Sequence, residues 1–323
     1  MPLTHFQHGI FATPTVGAGL GYGWKVDSTT YFVDGTNGSD SNGGTSPDKA
    51  FATIQHAIDS ADKHDVIYIF DQDLASSGTG STAKYTEDIT VSKTKHNLSL
   101  IGASRLVGFP VRECGIQNAT AVANLIVSAG SLTVENLRFS RGNSGTHGIW
   151  AESGEDTTDY GHGAVIYNCR FTGFAGTAAG NAAIRGVGLQ GMQIINCQFV
   201  DNYIDIWFVS STGTATDLLI KNCLFSITAV AATAKSADIV INTQGSGYVA
   251  IMGNCFAHII PAAGYTRYIS IADTRQGCVS FNSFSTGYNN NLTIGAAGTA
   301  CTIPTALNSG PNWGNSALMA ASA

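Results

Sequence analysis

A short phrase of alternating apolar and polar positions keeps returning along the chain. It reads Val134-Glu135-Asn136-Leu137-Arg138-Phe139, Ile166-Tyr167-Asn168-Cys169-Arg170-Phe171, Ile194-Ile195-Asn196-Cys197-Gln198-Phe199 and Ile220-Lys221-Asn222-Cys223-Leu224-Phe225. Looser copies follow at Met252-Gly253-Asn254-Cys255-Phe256 and Phe281-Asn282-Ser283-Phe284. Aligned on asparagine, the copies are 32, 28, 26, 32 and 28 residues apart. Alternation over so few positions predicts strands. A period of this length predicts a solenoid or a propeller. The phrase holds constant while its spacing varies, so fixed strands are joined by loops of changing length. A leucine-rich repeat needs Leu-x-x-Leu-x-Leu, which the chain lacks, and a propeller blade needs about 40 residues or more. The remaining solution is all-β: a parallel β-helix whose coils rise ~4.8 Å each.

In-register coils stack equivalent side chains. The expected columns are Phe139, Phe171, Phe199 and Phe225, continued by Phe256 and Phe284, and Cys169, Cys197, Cys223 and Cys255. Asn136, Asn168, Asn196, Asn222, Asn254 and Asn282 would form an amide ladder, hydrogen-bonded from coil to coil. Asparagine and phenylalanine can both be accommodated if the asparagine sits at a bend. The cysteines read as small buried hydrophobes rather than a thiolate metal site, because no CxxC or Cys/His zinc spacing occurs.

Ahead of the repeat, Tyr31-Phe32-Val33-Asp34-Gly35 reads as a strand entering a turn, followed by loop residues 36–45. Ser46 and Pro47 fit the N-cap and first position of a helix. Phe51, Ile54, Ala57, Ile58 and Ala61 share one face of it, predicting a helix near 47–63 that ends by His64. Val66–Phe70, Glu87–Val91 and Asn97–Gly102 follow as strands.

From Tyr31 to Gly102 these segments resemble the N-terminal part of pectate-lyase-like β-helix proteins. The resemblance rests on YFVDG, SDSNGGTSPDKAFATIQHAI, DVIYI, YTEDITV and LSLIGAS. It implies a right-handed parallel β-helix over residues 31–302, with the helix capping the open N-terminal end. Capping removes a sheet edge that invites aggregation. The resemblance specifies fold rather than activity, since the superfamily holds lyases, glycoside hydrolases, epimerases, phage tailspikes and non-catalytic virion proteins.

Composition agrees with a turn-rich β protein: 38 glycines, seven prolines and only 12% charged residues, about half the usual share. A net charge of −6 argues against nucleic acid, and no apolar run is long enough to span a membrane. The first residues lack the basic region and apolar stretch of a signal peptide. The ends are unusual. Residues 1–24 contain no Asp, Glu, Lys or Arg, and neither do the 48 residues after Arg275. Uncharged tracts suggest burial against other chains. We therefore expect an N-terminal arm over 1–30 and a tail or cap over 303–323, with Phe6, Phe11, Tyr22, Trp24 and Trp313 as assembly contacts. The start His5-Phe6-Gln7-His8-Gly9-Ile10 resembles phage proteins of this type. The favoured reading is a non-enzymatic virion part: a decoration, spike or fibre, self-associating as a homotrimer and touching other capsid proteins or a host glycan. The alternatives are a polysaccharide lyase or glycoside hydrolase acting on a surface glycan, and a cell-surface adhesin.

An enzyme would need acids or bases projecting from one face. His147, Glu152, Glu155, Asp156, Asp159 and His162 form the densest cluster, suited to Ca²⁺ or an acid/base pair; a solvated loop is the plainer account. Asp201 and Asp205 flank Tyr203 and precede Trp207, which offer stacking surfaces for sugars. On a straight strand those acids share a face ~13 Å apart, too far for the ~5–9.5 Å of paired glycosidase carboxylates. Arg170 and Arg185 are the basic residues a lyase would draw on. Asp34, Asp40 and Asn42 could hold a cation, though turn capping explains them. No cofactor is expected beyond that Ca²⁺.

Overall fold

The computed structural model describes residues 28–72, 84–103, 114–120, 122–142, 147–152, 162–174, 181–210, 216–228, 237–243, 247–258, 267–271, 276–284 and 293–294. They form a right-handed parallel β-helix. Each coil visits three sheets in turn, for example through Val165–Tyr167, Arg170–Thr172 and Ala182–Val187. The described strands make a first sheet of nine and second and third sheets of eight each, all parallel.

The recurring phrase is the corner between the first and second sheets. Asn136, Asn168, Asn196 and Asn222 sit there with φ of 51–57°. This left-handed conformation costs most residues a Cβ clash and is tolerated best by glycine and asparagine. Before the corner, Val134, Ile166, Ile194 and Ile220 point inward in register. After it, the six phenylalanines stack as expected. Neighbouring rings from Phe139 to Phe284 are 4.7–5.1 Å apart and within 9° of parallel. Burying each such ring contributes about 1.5–3 kcal/mol.

The cysteine column holds only in part. Cys169, Cys197 and Cys223 are buried. Each thiol donates to a first-sheet carbonyl one coil back, on Val134, Ile166 and Ile194, at 3.5–3.6 Å. Cys114 extends the same column beyond Leu137, its thiol donating to Ile69 O. Burial pushes its pKa up to about 12 and holds Cys197 and Cys223 well above the usual thiol range. Cys255, however, is exposed and pairs with Leu224, an outward position.

That displacement also corrects the amide ladder. Phe256 aligns with Phe225, so Gly253 takes the left-handed corner (φ 68°) and Asn254 takes the buried cysteine position. A Cβ on Gly253 would stand 2.6 Å from Asn222 Oδ1, which adds a close approach to the backbone requirement. In the next coil Phe281 occupies the corner at φ 57° and Asn282 turns inward. There are therefore two amide sets. The outer one includes Asn168 Nδ2 donating to Asn136 Oδ1 at 2.6 Å. The inner one runs Asn282 Oδ1 from Asn254 N and Nδ2 (3.0 and 2.9 Å), then Asn254 Oδ1 from Cys223 N at 2.8 Å.

At the front, the helix is shorter than expected. Pro47–Lys49 is a single 3₁₀ turn, and Ser46 makes no side-chain cap. The chain is then drawn into the first sheet: Phe51 N donates to Phe32 O, and Asp34 N to Phe51 O. The helix α1 spans Ile54–Ser60, with Thr53 as N-cap accepting from His56 N. Asp40 accepts from Ala52 N, Thr53 N and Thr53 Oγ1. Glu87 accepts from Ile54 N and Gln55 N, the free donors of the first turn. Ile54, Ala57 and Ile58 join the continuous core. Glu87 and Asp88 are a corner between strands Lys84–Thr86 and Ile89–Val91, not the start of one strand.

Candidate functional site

The third sheet carries a second repeated pattern: an inward residue, one outward residue, then another inward residue. Leu125-Ile126-Val127, Ile149-Trp150-Ala151, Ile184-Arg185-Gly186, Ile206-Trp207-Phe208, Ile239-Val240-Ile241 and Ile269-Ser270-Ile271 are in mutual register. The inward residues fill the core. The middle residues form one row on the outer face, and parallel pairing places Trp150, Arg185 and Trp207 on three consecutive coils.

Arg185 is sandwiched. Its guanidinium carbon lies 4.7 Å from the Trp150 ring centroid and 5.3 Å from that of Trp207. Such cation–π contacts are worth about 0.5–2 kcal/mol each, depending on desolvation. Behind them is His147, 2% exposed, its ring edge-on to Trp150 at 5.5 Å. Arg185 Nη1 lies 3.4 Å from His147 Nε2. Arginine only donates, so Nε2 accepts and the ring proton sits on Nδ1, facing Ala182 O at 3.3 Å. The Ala182 amide is 3.2 Å from the same nitrogen; the donor-only chemistry of Arg185 decides for the carbonyl. Burial first, then the Arg185 charge, lowers the His147 pKa to about 4. The imidazole is therefore neutral at pH 7.

No described acidic residue pairs with Arg185. Its Nε and Trp150 Nε1 are buried without a protein partner, which costs about 1–3 kcal/mol per donor. Neighbouring coils fill the same row with Ile126 and Val240 at no such cost. The Trp–Arg–Trp ladder is thus a poor choice for stability alone. Chemically, it presents a fixed cation between two apolar plates.

The acidic cluster is not assembled by the described residues. Glu152 places its backbone on the strand His147–Glu152, opposite Val187. The Glu152 side chain and residues Glu155, Asp156 and Asp159 lie outside the described set. His162 is a corner residue whose Nδ1 accepts from Gln190 N, on the turn into the first sheet and not on the strand of His147. Asp201 and Asp205 do not share a face. Asp201 is a left-handed corner (φ 55°) accepting from Thr228 N and Oγ1 at 2.7 and 2.6 Å. Asp205 points into the solenoid, fully buried, accepting from Asn202 Nδ2 at 2.8 Å. The bend between them overturns the straight-strand geometry. Asp238 lies level with Asp205 on the next coil and is 3.1 Å from His258 Nε2, both fully buried. This interior polar group was not foreseen. Arg170 faces outward on the second sheet in register with Arg138. Asp34 caps its own turn through Thr36 N and Asn37 N, and Asn42 Nδ2 donates to Ala50 O; with Asp40 they serve as caps. Phe6, Phe11, Tyr22, Trp24 and Trp313 lie outside the described residues.

No family model and no curated protein sequence matches the chain. Solved structures do. The pectin methylesterase from carrot superposes with a TM-score of 0.58 at 13% identity, covering 90% of this chain and 85% of that one. The GH136 lacto-N-biosidase from Eubacterium ramulus gives 0.57 at 10% identity over 87% of this chain. This chain spans only 56% of the lacto-N-biosidase. The chain shares with them the right-handed parallel β-helix fold. At these identities the likeness concerns the fold alone, and the outer ladder has to be read from its own chemistry.

Proposed function

We propose that the protein engages a polysaccharide along the outer face of its third sheet. The carrying observation is the Trp150–Arg185–Trp207 ladder, a cation held between two indoles with no acidic partner among the described residues. Indole faces pack against the C–H faces of sugar rings, and a fixed guanidinium orients an oxygen-rich chain. Two proteins with this fold carry carbohydrate-directed names, a pectin methylesterase and a lacto-N-biosidase, which supports the glycan reading over an inert shaft. Among the described side chains this face supplies a cation and aromatic plates, the chemistry of holding a chain. Glu152, two residues beyond Trp150 on the same strand, is the acid to test for turnover by a hydrolase or lyase. The virion reading draws on terminal residues outside the described set.

The test uses the full-length protein on a panel of neutral and acidic polysaccharides, read for retention and for release of shorter chains. Expected is retention of at least one glycan, weakened tenfold or more by Trp207→Ala with the melting transition preserved. Retention of none, or equal retention by the variant, overturns the proposal.

A further inference from the structure

We propose that the outer face of the first sheet docks a second copy of this chain, antiparallel to the first, about a twofold axis between the levels of Tyr167 and Ile195. The proposal is independent of the glycan reading, which concerns the third sheet.

Parallel pairing fixes two outward rows on this face. One runs through Ile101, Glu135, Tyr167, Ile195, Lys221 and Met252 on consecutive coils. The other lies two residues earlier on each strand and includes Thr133, Val165, Gln193 and Leu219. Followed from the level of Tyr68 to that of Ser280, the two rows carry only two charges, Glu135 and Lys221. Ile101, Val165 and Ser280 are buried, and the other positions keep partial exposure. Tyr248, at the margin of the same face, is 59% exposed. A broad, mainly apolar face of this kind marks a contact with another protein.

The placing of the two charges says which protein. Glu135 lies one level outside Tyr167, and Lys221 one level outside Ile195. The charges are opposite and equidistant from the midpoint. A twofold axis there, running along the strands, sets Glu135 against Lys221 of the second copy and Lys221 against its Glu135. Residue i meets j and j meets i, the signature of a self-complementary patch. Tyr167 then meets Ile195, and Ile101 meets Met252. The acid is also prepared for a cation. Its Oε1 accepts from Asn136 Nδ2 at 3.3 Å, its Oε2 is buried with no hydrogen-bond partner, and burial raises its pKa. Lys221 is exposed and free to reach across. The homotrimer expected from the sequence would set equal levels side by side, bringing half-desolvated Glu135 carboxyls together, which disfavours their charge. The size fits as well. Eight levels ~4.8 Å apart, over a strip about 15 Å wide, bury about 600 Å² per copy, above the ~1,000 Å² total that a specific interface needs.

The experiment measures the mass of the full-length protein in solution across a dilution series, with thermal unfolding as the check on folding. A dimer is expected. Lys221→Glu, at an exposed position, should weaken it at least tenfold, because the twofold axis creates two Glu–Glu encounters. The double variant Glu135→Lys with Lys221→Glu should restore the dimer to within threefold of the unaltered protein. In a parallel arrangement Lys221→Glu only exchanges one like-charge pair for another, so no such loss occurs. Zero-length carbodiimide coupling of the unaltered protein keeps the test open if the double variant folds poorly. Within one copy Glu135 and Lys221 are three levels apart, ~14 Å, too far for direct coupling, so a Glu135–Lys221 amide in the peptide map joins two copies. A monomer at the highest soluble concentration overturns the proposal, and so does a trimer. A dimer unmoved by Lys221→Glu overturns it, as does a folded double variant that fails to reassociate. None of these outcomes bears on glycan retention by the third sheet.

Discussion

The protein contains two side-chain ladders built by the same stacking rule on different sheets, one facing into the solenoid from the second sheet and one facing out from the third. The inner ladder is uniform: six phenylalanines at 4.7–5.1 Å, continuous through the body and sealed from water. The outer ladder is mixed and short: Trp150, Arg185 and Trp207, partly buried, with a buried neutral histidine behind. Uniform stacking inside lets every coil contribute the same burial. The outer ladder breaks that economy over three coils, placing a charge where neighbouring coils have Ile126 and Val240. Position relative to the wall, rather than aromatic content, separates scaffold from site.

The comparison breaks most readily at Phe199. Phe199→Ala should cost about 3–5 kcal/mol in denaturant unfolding, whereas Trp207→Ala should cost about 1 kcal/mol and act mainly on glycan retention. Equal losses from the two changes would make the outer ladder structural. Next comes pH. The His147 pKa is about 4 in the folded protein, against an ordinary value of 6.5. The unfolded chain therefore takes up the proton first. Stability from this group is complete above pH 6.5 and declines towards pH 4, by up to about 3 kcal/mol. Melting curves of His147→Gln should lack that part of the acid slope. Within the inner wall, Asn282→Ala removes the acceptor of Asn254 N and Nδ2. It should cost about 1–3 kcal/mol, read by thermal unfolding, without changing glycan affinity. The smallest expected effect has the opposite sign. Phe281 is 62% exposed and left-handed, so Phe281→Gly should stabilise by about 1 kcal/mol; a lower melting temperature would show that the aromatic ring is held by something.

Much of the inner ladder was legible in the sequence because its residues lie in one phrase, with corner and strands at fixed offsets. The phrase misled where asparagine was taken as the anchor. In Ile251-Met252-Gly253-Asn254-Cys255-Phe256 the phenylalanine keeps register and glycine takes the corner, which shifts Asn254 inward and Cys255 outward. Glycine satisfies the same backbone demand as asparagine, so the substitution is intelligible once the corner is known to be left-handed. The helix start was missed because Ser46-Pro47 fits a cap locally, while the pairing of Phe51 with Phe32 and Asp34 is decided across the chain. The outer ladder was hidden for a different reason. Trp150, Arg185 and Trp207 become neighbours only after loops of unequal length are counted out. The available signal was the triplet with aliphatic or small residues on either side of a variable middle one, which locates the outward row without reference to the loops. Arg185 was singled out as a basic residue and Trp207 as a sugar-stacking surface, but nothing in the linear order joined them to each other or to Trp150.

A column of identical rings has a weakness: slipping a strand by one whole coil restores almost every contact. The change from Cys223 to Asn254 and Asn282 along the inner wall removes that degeneracy. A coil threaded one level out of place would set an amide against a thiol and lose its carbonyl partner at Ile220 or Ile251. The inner asparagines thus act as addresses, telling otherwise interchangeable coils which neighbour is their own.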